Sequence, residues 1–419
     1  MRPLKQQLIQ IKMNFKAITI LAAATFTVSS LVSCSNDDDN VNELSYEIPS
    51  TYHFERNGET SVNFSGQTQR IKMLAEFDAY SKNQAGYPEF DAQKVVDMFS
   101  NSNNPFADDE LNNSGKQLRS KTAASADYFS ANTIEANEIK TTFDNLFTEM
   151  GTVAAQYETT GAPGVAGSVD AGKRLVKGNG LEINQAIIKG LMGACFMDQA
   201  LNNYLSTTVL DETKLANDAG TLEDGTNYTT MEHKWDEAYG YVFGYTTTNT
   251  DGSVKKYYWE SYMNTVNGNP YFEGITDNIK NAFIKGRAAI VNKDYTTRNE
   301  QIKVIKQNLS VIGAVRAVYY LHEGKELLST DELATIKSFH ALSEAYGFIA
   351  GLRFTNNPAT NAPYFTREEV NAMLESLTGG KNGFWDMDYT SNAADAVSAQ
   401  IAQRFGFTVE QAITEGGSH

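Results

Sequence analysis

Residues 302–315 read Ile302-Lys303-Val304-Ile305-Lys306-Gln307-Asn308-Leu309-Ser310-Val311-Ile312-Gly313-Ala314-Val315. Ile302, Ile305, Leu309 and Ile312 recur at helical spacing, and Val304, Val311 and Val315 widen the stripe. An apolar arc this broad belongs to a helix covered on most sides, so the segment reads as the central helix of a helical protein. Thr297 and Glu300 precede it at the spacing of a capping box. The same spacing occurs at Ser329/Glu332, Thr366/Glu369 and Thr408/Gln411. A second amphipathic stripe comprises Ile187, Ile188, Leu191, Met192 and Cys195, and helical patterns also cover residues 67–82 and 123–157. Together these signals predict a mostly α chain of about eight to twelve helices. Strand signals are few. Tyr52-His53-Phe54 and Val62-Asn63-Phe64 flank Asn57-Gly58, which predicts a small N-terminal β-hairpin. Arg174-Leu175-Val176 before Lys177-Gly178-Asn179-Gly180 reads as another small hairpin.

Two later segments superpose without a gap. His233-Lys-Trp-Asp-Glu237-Ala-Tyr-Gly240-Tyr-Val-Phe-Gly244 matches His340-Ala-Leu-Ser-Glu344-Ala-Tyr-Gly347-Phe-Ile-Ala-Gly351. Upstream of each lies a helix containing Leu191-Met-Gly193-Ala or Val311-Ile-Gly313-Ala. Matching element order predicts duplicated helical units, at approximately 181–293 and 297–405, within a single α-helical domain spanning 46–419. Positions 0, 4, 7 and 11 of a helix share one stripe. His233, Glu237, Gly240 and Gly244 therefore fall on one face, as do His340, Glu344, Gly347 and Gly351. Glycine inside a helix costs about 1 kcal/mol relative to alanine, so something must approach each stripe closely. Two readings follow. In one, the His–Glu pairs converge on a cleft that binds a metal ion or an iron-bearing ligand, since imidazole plus carboxylate suits zinc or iron. In the other, each His bonds its own Glu and the glycines permit tight helix packing. Other groups have structural readings: His322-Glu323 as a helix C-cap, Asp294, Asp386 and Asp388 as caps or surface groups, and Tyr257-Tyr258-Trp259 with Tyr262, Tyr271 and Phe272 as core or cleft lining.

The N-terminus has an export pattern. Arg2, Lys5, Lys12 and Lys16 precede an apolar, small-residue stretch that ends in Leu31-Val32-Ser33-Cys34. The stretch is too short to span a bilayer. Met13 is an alternative start. Leu-x-Ser-Cys resembles the lipobox of bacterial lipoproteins, which implies removal of residues 1–33 and acylation of Cys34 as a membrane anchor. Residues 34–45 then form an acidic tether. Its Cys34-Ser-Asn-Asp37-Asp38-Asp39 resembles the export signal of Bacteroidota lipoproteins shown at the cell surface. Loss of the four basic residues of 1–33 takes the formal net charge from −16 to −20. That charge argues against nucleic acid as a partner. With Cys34 acylated, Cys195 has no disulfide partner and reads as an inert core thiol.

Residues 46–74, Gly190-Leu-Met-Gly-Ala-Cys-Phe-Met-Asp198-Gln199 and His233-Lys-Trp-Asp-Glu-Ala-Tyr-Gly240 resemble a Bacteroidota lipoprotein family, a domain of unknown function encoded near imelysin-like proteins and TonB-dependent receptors. The chain is also similar in style to imelysins, which are exported, α-helical, built from two related bundles and implicated in iron uptake. The resemblance implies an outer-membrane lipoprotein that binds iron or haem, with His233, Glu237, His340 and Glu344 as ligand-binding residues. A TonB-dependent receptor or an imelysin-like protein is the implied partner. Imelysins carry His-x-x-Glu where this chain has His-x3-Glu. The alternatives are a non-catalytic scaffold on an outer-membrane transporter and a metallopeptidase, although no His-Glu-x-x-His motif occurs.

Overall fold

Residues 44–170, 172–329 and 331–415 are described by a computed structural model of the chain. The expected signal peptide (1–33) and the lipidation site Cys34 lie outside these residues. β1 (Glu55–Arg56) and β2 (Glu59–Thr60) pair around Asn57-Gly58, whose φ values are 57° and 81°. Positive φ at both turn positions suits a tight hairpin, as the Asn-Gly signal predicts. Then come α1 (Ser65–Ser81), α2 (Ala92–Ser100), α3 (Asp109–Asn112) and α4 (Thr133–Ala154). β3 (Gly167–Val169) and β4 (Arg174–Val176) form a second hairpin. α5 (Ile183–Leu191) continues as π-helix over Met192–Met197 and Ala200–Tyr204. α6 (Thr207–Asp211), α7 (Lys214–Ala219) and α8 (Thr230–Phe243) follow, and β5 (Thr246–Thr248) pairs with β6 (Val254–Lys256). The chain ends with α9 (Tyr258–Asn267), α10 (Ile275–Val291), α11 (Tyr295–Leu327), α12 (Glu332–Gly351), α13 (Arg367–Thr378), α14 (Met387–Phe405) and α15 (Val409–Ile413).

The protein is thus mostly α, with a small hairpin at its N-terminal side, as expected from the sequence. The described residues contain fifteen helices rather than eight to twelve. α3, α6, α7 and α15 have six residues or fewer, too few to show a period. α4 begins at Thr133 and not near 123, because Ala123 sits at φ 44° and bonds the Ala194 carbonyl instead of opening a helix. β4 pairs upstream with β3, while 177–180 is a turn into α5.

α11 has 33 residues, about 50 Å at 1.5 Å per residue. It buries Ile302, Ile305, Leu309, Ile312, Val315, Val318 and Leu321 against α10, α12 and α14. Its cap is Asp294, which accepts from Thr297 N at 3.0 Å, so the Thr297/Glu300 spacing lies inside the helix. Capping boxes do form at Thr366/Glu369 and Thr408/Gln411. A further box at Thr229/Glu232 opens α8. It escapes sequence reading because His233 and Lys234 follow it in place of an apolar run.

Residues 46–64 form a strap over α8 and α10, held by buried charge. Arg287 on α10 is wholly buried and donates to Glu232 and Asp236 on α8, both at 2.9 Å, and to the Ser61 carbonyl at 3.0 Å. Arg56 binds Glu232 through both terminal nitrogens, at 2.9 and 2.8 Å. Tyr52 donates to Asp236 at 2.6 Å and stacks on Tyr239. Burial opposes ionisation of Glu232, but the two guanidiniums hold its carboxyl below the usual range. Two cations and two anions balance within one network. Arg287→Met leaves two buried carboxylates facing Arg56 alone. It should cost about 3–5 kcal/mol, seen as a fall in urea midpoint at constant slope. An unchanged midpoint would show that the network does not hold the strap.

Candidate functional site

The two histidines of the repeated pattern have different partners. His233 Nδ1 lies 3.2 Å from Glu223 Oε2, and its ring packs on Tyr228. Glu237, one turn on, instead accepts from Gln67 Nε2 at 2.9 Å. His340 Nδ1 lies 2.7 Å from Glu182 Oε2, with Arg174 beside both. His340 Nε2 is 3.7 Å from Glu344 Oε1, within ion-pair range but too long for a hydrogen bond. Glu344 pairs with Lys189 at 3.1 Å. Burial disfavours its charge, yet Lys189 and His340 hold its carboxyl below the usual range. Among the described residues the His233 and His340 patches share no hydrogen-bond or ion-pair partner. Among the described residues no group of three or more His, Cys, Asp and Glu is placed to hold a metal ion. The donor set of the four residues therefore does not fit iron or zinc directly.

The glycines explain the pattern differently. A Cβ on Gly240 would lie 2.4 Å from Phe64 Cβ and 3.0 Å from Gln67 Cβ. One on Gly347 would lie 2.5 Å from Lys189 Cβ. In both stretches a side chain packed on the glycine is also bound by the Glu three residues earlier: Gln67, which shares the Gly240 gap with Phe64, to Glu237, and Lys189 to Glu344. Glu-x-x-Gly is thus a helix-docking device. The glycine admits the partner's stem and the carboxylate fixes its tip. α8 docks on the start of α1, and α12 docks on α5. The stripes do not run equally far. Gly244 is the C-cap of α8 and its carbonyl accepts from Thr68. Gly351 ends α12 with its backbone against Gly193, where an added Cβ on Gly193 would sit 2.4 Å from Gly351 Cα.

The other sequence candidates occupy structural places. Cys195 is wholly buried and burial pushes its thiol up to about 12, so it stays protonated. His53 is exposed and pairs with Glu55 at 2.9 Å. His322 lies within α11, which runs on to Leu327, so it is not a C-cap. Trp259 donates to the Met192 carbonyl from the core, whereas Tyr271 is exposed.

The docking of α12 on α5 brings together a site that the motif reading missed. The π-helical continuation of α5 presents Asp198 and Asn202 to the segment after α12. There a cavity of about 470 Å³ is lined by Asp198, Asn202, Arg353, Asn356, Asn361 and neighbouring residues. π-helical turns recur at functional sites. Asn202 Nδ2 donates to the Phe354 carbonyl at 2.9 Å, and Asn202 Oδ1 accepts from Asn356 Nδ2 at 3.0 Å. Lys306 Nζ, on the central helix, donates to Asn361 Oδ1 at 3.0 Å. The buried Asn356 Oδ1 has no hydrogen-bond partner. The sequence signal for this site is thin: Asp198, Gln199, Asn202 and Asn203 interrupt an otherwise apolar run.

Two groups here have displaced proton affinities. Burial pushes Lys306 down to about 8, against the pull of Asp127. Burial also pushes Asp198 up to about 6, although Ser125, the amides of Ala124 and Ser125, and Asn202 all favour its charge. A carboxyl raised in the folded state gives stability that is full below its ordinary 3.8 and lost as pH rises through about 6. Asp198→Asn stays neutral throughout. The stability of wild type minus that of Asp198→Asn should therefore fall by roughly 3 kcal/mol between pH 3.5 and 7, measured by urea unfolding at several pH values. A difference that does not vary with pH would contradict the assignment.

No curated protein and no solved structure matches the chain. A family model does match, over residues 49–408, which takes in most of the strap, both docking helices and the cavity. The chain belongs to the family described as Domain of unknown function (DUF4856).

Proposed function

We propose that the protein is a lipid-anchored, non-catalytic binding protein at the outer-membrane surface, serving iron or haem acquisition. In this reading its ligand sits in the cavity of Asn202, Arg353 and Asn356. The binding role is carried by the cavity of about 470 Å³ with its convergent amide and arginine side chains, beside which Asn356 Oδ1 has no hydrogen-bond partner. The setting is supported by the basic, apolar, Cys34 and acidic order of residues 1–39 and by the likeness to imelysins. No helix of the described residues is long and apolar enough to cross a membrane, so an acyl anchor on Cys34 would supply the attachment. The iron would arrive within a chelate or porphyrin held by its organic periphery, since no metal donors converge. A TonB-dependent receptor or an imelysin-like protein would take it onward.

The scaffold reading draws its support from the glycine faces, both of which are filled by helices. Titration separates the two. Haem and ferric citrate are added to the purified Cys34→Ser protein, which cannot be acylated, with absorbance and metal content as readouts. Asn356→Ala should weaken haem binding roughly tenfold, about the cost of one unmade buried hydrogen bond. His233→Ala/His340→Ala with unchanged helicity should leave binding within about twofold. No binding by wild type would favour the scaffold. Binding lost only in the histidine variant would return the site to the motif.

A further inference from the structure

We infer that the ligand of this site carries a carboxylate on an apolar body, and that Arg353 reads the carboxylate. This rests on the binding role proposed above and names its ligand class. Arg353 and Phe354 line two adjoining cavities. One is the polar cavity already described. The other, of about 280 Å³, lies between α4, α5, α12 and α13 and is lined mainly by Ile139, Phe143, Leu146, Tyr346 and Leu374. Its acidic lining residue, Glu375, is exposed.

The guanidinium between them has no counter-charge at ion-pair distance among the described residues. Arg353 Nη2 donates to the Arg367 carbonyl at 3.1 Å and to Asn371 Oδ1, both neutral acceptors. Its buried Nε has no partner. Among the described residues Arg353 makes no ion pair, as is also true of the buried Arg70 and Arg316, whereas the fully buried Arg287 and Arg298 each have a carboxylate. Glu135 and Glu368 line the polar cavity without reaching ion-pair distance. Burial pushes the Arg353 guanidinium down from its usual value, with Arg367 adding to the effect and the more distant Glu135 and Glu368 opposing it. A ligand carboxylate would supply a direct ion pair through the forked geometry that arginine favours. The apolar cavity would take the attached body, and its volume suits a medium chain or a ring. Free amphipathic carboxylates and the propionate edge of haem both have this chemistry.

The test uses decanoate, decanol and haem as probes of the Cys34→Ser protein, followed by calorimetry. Decanoate should bind, and decanol should bind roughly tenfold or more weakly, the worth of one charge-assisted hydrogen bond. Arg353→Gln should weaken decanoate and haem by roughly the same factor and leave decanol unchanged. Ala350→Leu, which narrows the apolar cavity, should weaken both decyl probes, and it keeps the test open if Arg353→Gln fails to fold. Equal binding of decanoate and decanol, or decanoate binding indifferent to Arg353→Gln, overturns the inference. Haem bound without dependence on Arg353 and decanoate unbound overturns this inference alone. Neither bound overturns the binding role with it.

Discussion

The backbone contact between α5 and α12 sets the geometry of the functional region. Gly193 and Gly351 meet without side chains between them, and Gly347 admits the stem of Lys189. Those contacts fix how the π-helical continuation of α5 lies against the end of α12. Asn202 can then reach the Phe354 carbonyl and Asn356, and the cavity takes shape around them. A methyl group on Gly193 or Gly347 would push the helices apart, whereas one on Gly351 would meet Gly193 at ordinary contact distance. The arrangement on α8 follows the same logic, with Gly240 against Phe64 and Gln67 of the segment entering α1.

Charge is distributed to match. Over most of the interior each carboxylate has a cation: Glu232 and Asp236 with Arg287, Glu344 with Lys189, Glu182 with Arg174. Such pairs stabilise little in themselves, but breaking one strands a buried charge, so they fix which elements go together. Asp198, Lys306 and Arg353 make no ion pair among the described residues; Asp198 and Arg353 line one cavity, and Lys306 bonds its lining residue Asn361. Their charges are held by amides and hydroxyls, which a ligand could supplement or replace.

Much of the fold was legible in the sequence. The apolar arc of α11, the Asn57-Gly58 hairpin and two capping boxes follow from local patterns, because each depends on residues close in the chain. The repeated His-x3-Glu-Ala-Tyr-Gly was visible too, and so was the need for something close against its glycines. What filled the gaps was not visible. Gln67 lies 170 residues from Glu237, and no local period announces such a partner. The histidines took acids from Glu223 and Glu182, outside their own helices. The cavity was the least legible part. Its residues come from α5's extension, the segment entering α4, the loop after α12 and the start of α13, and it depends on a π-helical geometry that no spacing rule encodes.

The central claim is that the glycine faces of α8 and α12 are filled by neighbouring helices and are not ligand surfaces. Urea unfolding of Gly240→Ala and Gly347→Ala, with ligand titration alongside, tests it most directly. Alanine gains about 1 kcal/mol of helix propensity, but overpacking at these contacts costs about 1–3 kcal/mol. The account predicts net destabilisation of both variants. Two proteins more stable than wild type that no longer bind ligand would contradict it, because the faces would then be open and occupied by the ligand itself.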